Sequence, residues 1–214
     1  MARAGKTERG RQTRARIRDA ATTLFRQRGY LDTTMAAIAA EAGVAVQTLY
    51  LAFGSKVAIL AAAHDVAVGG DEAPLPVLDR PWVAEVRAEP DGTRALAVLV
   101  DQALRIIERV SPIYGVIQAA AADAEVRQFL DLTKSQRLDT MRALAAELAS
   151  KPGFTRDLSL EQTADTLYAL VSDDVYRLLV VERRWPAEAW KTWTYNTAAH
   201  WLFPGRAPKG PLSG

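Results

Sequence analysis

Apolar residues recur along this chain with the period of a helix, and no stretch alternates as a strand would. Ile17, Ala20, Ala21, Leu24 and Phe25 fall at i, i+3, i+4, i+7 and i+8, the stripe of a helix that starts near Gln12. Gly29 follows as a left-handed cap, and Arg26 and Arg28 suit the negative end of the helix dipole. Thr34 then caps a short helix whose buried face is Met35, Ile38, Ala39 and Ala42. Gly43 breaks it. Val44 to Phe53 reads as a third helix, and Ser55 caps a fourth that carries Val57, Ile59, Leu60 and Ala63 toward Val68.

Between Gly69 and Gly92 the prolines at 74, 76, 81 and 90 leave no room for a long element, so this is the expected seam between domains. Beyond it the helical period returns with Leu96, Leu99, Val100, Ala103, Ile107 and Val110, and again with Leu138, Met141, Ala145 and Leu148. Ser111-Pro112 predicts a fresh helix start between the two. Ser159 with Gln162 forms a capping box, and the helix it opens should run through Ala164, Leu167 and Val175 to Arg184. Pro186 opens a last helix with Trp190, Trp193, Thr197 and Trp201 on one face, ending at Phe203-Pro204. The expected fold is all-α: a mobile basic arm (1–12), a compact N-terminal domain of short helices (13–68), a larger helical domain (69–204) and a disordered tail (205–214).

Composition narrows the chemistry. The 214 residues include no cysteine, which removes disulfides, thiolate metal sites and cysteine nucleophiles and fits a reducing, cytoplasmic compartment. Only His64 and His200 are histidines, neither lies beside a nucleophile motif, and the adjacent Asp173 and Asp174 would point in different directions from a helix. No catalytic residue, metal site or cofactor is therefore expected. The longest apolar run, Val57 to Ala63, is far too short to span a membrane, and no secretory h-region follows the basic start. The net charge of +2 conceals an asymmetry: residues 1 to 56 hold ten basic side chains against four acids. A basic head on a mildly acidic body points to a polyanionic partner.

The head also carries a spacing with a steric cause. Counted from Met35, Ile38 stands fourth, Ala39 fifth, Gly43 ninth, Val44 tenth, Leu49 fifteenth and Ala52 eighteenth, which is the pattern of a helix-turn-helix. The fifth side chain must be small where the second helix crosses, the ninth must turn sharply, and the others fill the wedge between the helices. Ile17 to Leu60, IRDAATTLFRQRGYLDTTMAAIAAEAGVAVQTLYLAFGSKVAIL, resembles the DNA-binding region of the TetR family of bacterial transcriptional regulators. The resemblance rests on the Arg-Gly-Tyr break, Thr33-Thr34, the Ile-Ala-Ala-Glu-Ala-Gly-Val run, Thr48-Leu49-Tyr50, and Phe53 followed by Ser55-Lys56.

The resemblance implies a homodimer that sets the third helix into the major groove of a palindromic operator, most simply as a repressor released by a small molecule. On chemical grounds Gln47 suits a bidentate contact to adenine and Val46 a thymine methyl. Thr48 suits a base edge or phosphate, and Thr33, Thr34, Tyr50 and Lys56 suit phosphates. Ala45 departs from the serine or threonine usual at that cap, and Leu51-Ala52 replace a polar or aromatic pair that often meets the backbone. Arg3, Lys6, Arg9 and Arg11 could restore such contacts as an arm.

For the larger domain the resemblance implies an effector pocket and a dimer surface. The inward stripes offer Leu104, Ile107, Tyr114, Ile117, Phe129, Met141, Tyr168, Val171 and Asp174 for the pocket. The last two helices offer Leu178, Leu179, Trp190, Trp193 and Trp201 for the dimer contact. The alternative readings are a helical module whose basic head meets an acidic protein or an RNA, and an enzyme using the C-terminal pocket.

Overall fold

The computed structural model describes residues 2–205, with side chains from Glu8 onward. Beyond Gly205 the expected tail lies outside these residues, as do the Arg3 and Lys6 side chains. Among the described residues every regular element is helical. The chain divides into two compact units, Met1–Asp71 with Pro112–Leu132, and Glu72–Ser111 with Thr133–Gly214.

In the first unit, α1 (Ala2–Arg28) packs against α2 (Met35–Glu41), α3 (Val46–Phe53) and α4 (Lys56–Gly69). The α1 stripe is buried as expected: Ile17, Ala21 and Phe25 have no exposed surface, and Leu24 is 3% exposed. The first helix begins earlier than the apolar pattern indicates, at Ala2 instead of near Gln12. Polar pairs one turn apart support the extension, since Glu8 accepts from both Arg11 and Gln12 along the helix surface. Gly29 (φ 81°) closes α1 with a bond from its N–H to the Phe25 carbonyl. Ser55 caps α4 by accepting from the Ala58 N–H.

In the second unit, α5 (Pro81–Ala88), the first part of α6 (Gly92–Ala119), the later part of α7 (Ala124–Ala149), α8 (Leu160–Leu170), α9 (Asp173–Tyr176) and α10 (Ala187–Leu202) surround one core. The boundary between the units falls after Asp71, within the stretch read as a seam, which also contains α5; that helix starts on Pro81 and buries Val83 and Val86 completely. Two expectations need correction. Pro112 does not start a helix but lies inside α6, where Ile107, Val110, Ile113 and Ile117 continue one buried stripe past it.

The helix expected from Ser159 to Arg184 is broken. Its capping box forms, but α8 stops at Leu170, Ser172 caps α9 by accepting from the Val175 N–H, and a π-helical turn covers Arg177–Glu182. Arg137 holds the break open. Its guanidinium donates to the Tyr168 and Val171 carbonyls at 2.8 and 3.0 Å and stacks over the Tyr168 ring at 3.5 Å. The last carbonyls of α8 are thus satisfied by a cation and need no further helical turn.

Candidate nucleic-acid interface

The chain turns by 105° between α2 and α3, within the range of a helix-turn-helix. The turn is made by Gly43 at φ 63°, with the Gly43 N–H bonded to Ala40 and the Val44 N–H to Ala39. Ile38 and Leu49 have no exposed surface and Ala39 only 1%, so the crossing closes on a small side chain as the spacing requires. Thr34 caps α2 through the Ala37 N–H at 3.1 Å. Ala45 makes no side-chain cap, so α3 relies on its packing.

With Leu49 turned inward, the opposite face of α3 is open. Val46, Gln47, Tyr50 and Leu51 are exposed there, and Thr48 is half-buried at its margin. Arg9, Arg11, Arg14 and Arg16 are exposed on α1. Arg14 has a task the sequence did not signal, because its partner is far along the chain: it donates to the Ala52 carbonyl and lies 4.1 Å from the centre of the Phe53 ring. A cation thereby secures the C-terminal end of α3.

Two residues expected at phosphates have structural duties. Thr33 is 1% exposed and donates its hydroxyl to the Gly29 carbonyl at 2.7 Å, so it is closed to a ligand. The Lys56 ammonium donates to the carbonyls of Tyr30 and Thr33 at 2.8 and 3.0 Å and sits 4.1 Å above the Tyr30 ring. Two of its three donors therefore fasten the start of α4 to the connection between α1 and α2. Burial lowers the Lys56 pKa, against the pull of Asp123 and Asp32, and the Tyr30 hydroxyl is pushed up to about 12 by burial, then by Asp123 and Glu125.

The residues expected to line an effector pocket are divided between the units. Leu104, Ile107, Met141 and Val171 are buried in the core of the second unit, and Tyr168 packs against them beneath Arg137. Asp174 is exposed in the first turn of α9, because the break at Ser172 resets the register that had placed it beside the apolar stripe. Tyr114 and Ile117 are buried and Phe129 half-buried in the first unit, where Phe129 meets the His64 ring edge-on. A cavity of about 310 Å³ in the second unit is lined by other residues, among them Thr155, Asp157, His200 and Trp201. No group of three or more histidine or acidic side chains suited to a metal occurs among the described residues, and no single helix is long and apolar enough to cross a membrane.

Of the residues expected at a dimer surface, Leu178 and Trp201 are 50% and 56% exposed, and Leu179 and Trp193 are half-buried. Val181, 51% exposed beside them, was not foreseen. Trp190 is a correction: it has no exposed surface and meets Tyr176 edge-on inside the core. Trp190, Thr194, Ala198 and Leu202 form the inward stripe of α10, while Trp193, Thr197 and Trp201 form its neighbour.

Residues 17–63 match the family model described as bacterial regulatory proteins, tetR family. Among curated proteins none matches the chain. The fold is that of solved transcriptional regulators. FadR from Bacillus subtilis, solved with stearoyl-CoA, is 17% identical with a TM-score of 0.69, covering 87% of this chain and 98% of its own. NalD from Pseudomonas aeruginosa, the secondary repressor of the MexAB-OprM multidrug efflux pump, is 17% identical with a TM-score of 0.68, covering 92% and 99%. The fatty acid degradation regulator FadR from Bacillus halodurans is 19% identical with a TM-score of 0.63, covering 86% and 93%.

Proposed function

We propose that this chain, a member of the tetR family of bacterial regulatory proteins through residues 17–63, is a ligand-responsive repressor that binds a palindromic operator as a homodimer in the cytoplasm. The observation that carries the reading is the open face of α3, held at 105° to α2 by a buried wedge and presenting an exposed Gln47 in its first turn. A helix so mounted fits the major groove, where a glutamine amide can pair with adenine N6 and N7 and the flanking Val46, Thr48 and Tyr50 can meet a methyl, a base edge or a phosphate. The exposed arginines of α1 supply the sequence-independent attraction.

The family's two-fold mode of binding and the exposed Leu178, Val181 and Trp201 support a second copy docked on the last helices. The likeness to a structure holding stearoyl-CoA and to a named repressor supports release by a small molecule. An effector that prefers the conformation with low DNA affinity is bound less tightly when DNA is present, by the same factor. The test is a mobility shift with the duplex beside the protein's own gene and a scrambled duplex, at two salt concentrations, together with the mass of the free species in solution. Selective retardation by a dimer is expected. Equal, salt-steep binding to both duplexes, or a lasting monomer, refutes the proposal.

A further inference from the structure

The outward face of α3 combines two properties. Its sequence, VQTLYLAF, contains no arginine, lysine, aspartate or glutamate. The commonest guanine reader and the usual acceptor for the cytosine amino group are therefore both absent from it. Leu51 meanwhile is 83% exposed, more than any other large apolar side chain among the described residues, with Val46 at 39% and Tyr50 at 52% on the same face. Leu51 stands four residues after Gln47, one turn along the helix, so a duplex that meets the glutamine amide also meets this side chain. The one base-edge group in the major groove that an isobutyl side chain recognises is the C5-methyl of thymine.

We infer that the operator pairs facing α3 are A·T pairs, and that Leu51 determines specificity by packing on a thymine methyl. The assignment rests on the DNA-reading function above and adds the class of sequence read. It concerns the base contact alone: the cationic attraction to phosphates comes from α1, and the substitution leaves this and the other side chains of α3 intact. Because Leu51 is exposed, Leu51→Ala leaves the fold unchanged.

Duplexes selected from a random pool by the full-length protein provide the probe. Each conserved thymine is then replaced by deoxyuridine, which removes only the methyl, and affinity is measured by fluorescence anisotropy at one salt concentration. The expected result is A·T pairs at the α3 positions and a loss of about fourfold per methyl at the thymine that Leu51 covers, from the burial of one carbon. In L51A the response at that thymine disappears and responses elsewhere persist. Conserved G·C pairs throughout the half-site, or a methyl response that survives in L51A and vanishes in V46A, overturns the assignment and leaves the regulator intact. A pool that yields no enriched duplex at all removes the DNA-reading function, and the assignment with it.

Discussion

Replacing Lys56 with alanine separates a structural strut from a phosphate clamp. The ammonium donates to the Tyr30 and Thr33 carbonyls at 2.8 and 3.0 Å and covers the Tyr30 ring at 4.1 Å. A hydrogen bond to a charged group contributes about 1.5–3 kcal/mol and a partly exposed cation–π contact about 0.5–1 kcal/mol. Lys56 is half-buried, and water can reach the freed carbonyls in part, so the loss lies well below the full sum. We expect about 2–4 kcal/mol. For a chain of this size that lowers the thermal midpoint by roughly 4–15 °C. The assay is thermal unfolding by circular dichroism without DNA, paired with the salt dependence of duplex binding. The variant should melt early, while the slope of log K against log salt changes by far less than the ~1.8 of a lysine that neutralises one phosphate in each half-site. An unchanged melt with a slope reduced by that full amount refutes the reasoning.

Three further outcomes follow from single contacts. The Tyr30 hydroxyl ionises near 10 when unfolded and about 12 when folded, so its contribution is complete below pH 10 and is lost as pH rises toward 12; the loss is about 2–3 kcal/mol by denaturant titration, and Tyr30→Phe should flatten that part of the profile. A Cβ on Gly92 would lie 2.2 Å from the Phe203 ring, which has no exposed surface, so Gly92→Ala should cost about 1–3 kcal/mol in urea unfolding. Arg137→Met keeps the apolar stem but leaves the Tyr168 and Val171 carbonyls without their donor; faster amide exchange in α8 and α9 is expected, and unchanged protection there would show that Ser172 holds the break alone.

The head was legible because its signals are local. The stripe from Ile17 to Phe25, the caps at Thr34 and Ser55, and the small Ala39 before Gly43 all act within a turn or two of their own positions. What escaped the sequence depends on partners far along the chain. Arg14 reaches Ala52, Lys56 reaches Tyr30, and Arg137 reaches the end of α8. No periodicity reveals such pairs, in which each cation acts as a fastening.

The break after Leu170 is a mixed case. Ser172 followed by Asp173 and Asp174 is a readable helix start, but the apolar period running through Val171, Val175 and Leu179 masked it. Trp190 shows the limit of counting faces: a stripe of tryptophans was visible, while the boundary between core and surface fell between Trp190 and Trp193.

The central claim is that the open face of α3 reads base pairs, and the affinity ratio between a selected duplex and its scrambled counterpart, measured for the natural protein and for Gln47→Ala at one salt concentration, tests it most directly. A specific reader shows a ratio on the order of a thousand or more, and loss of the bidentate adenine contact lowers it by roughly 5–150-fold for each half-site, with binding to the scrambled duplex unchanged. A ratio near one for the natural protein, or the same ratio in both proteins, contradicts the account.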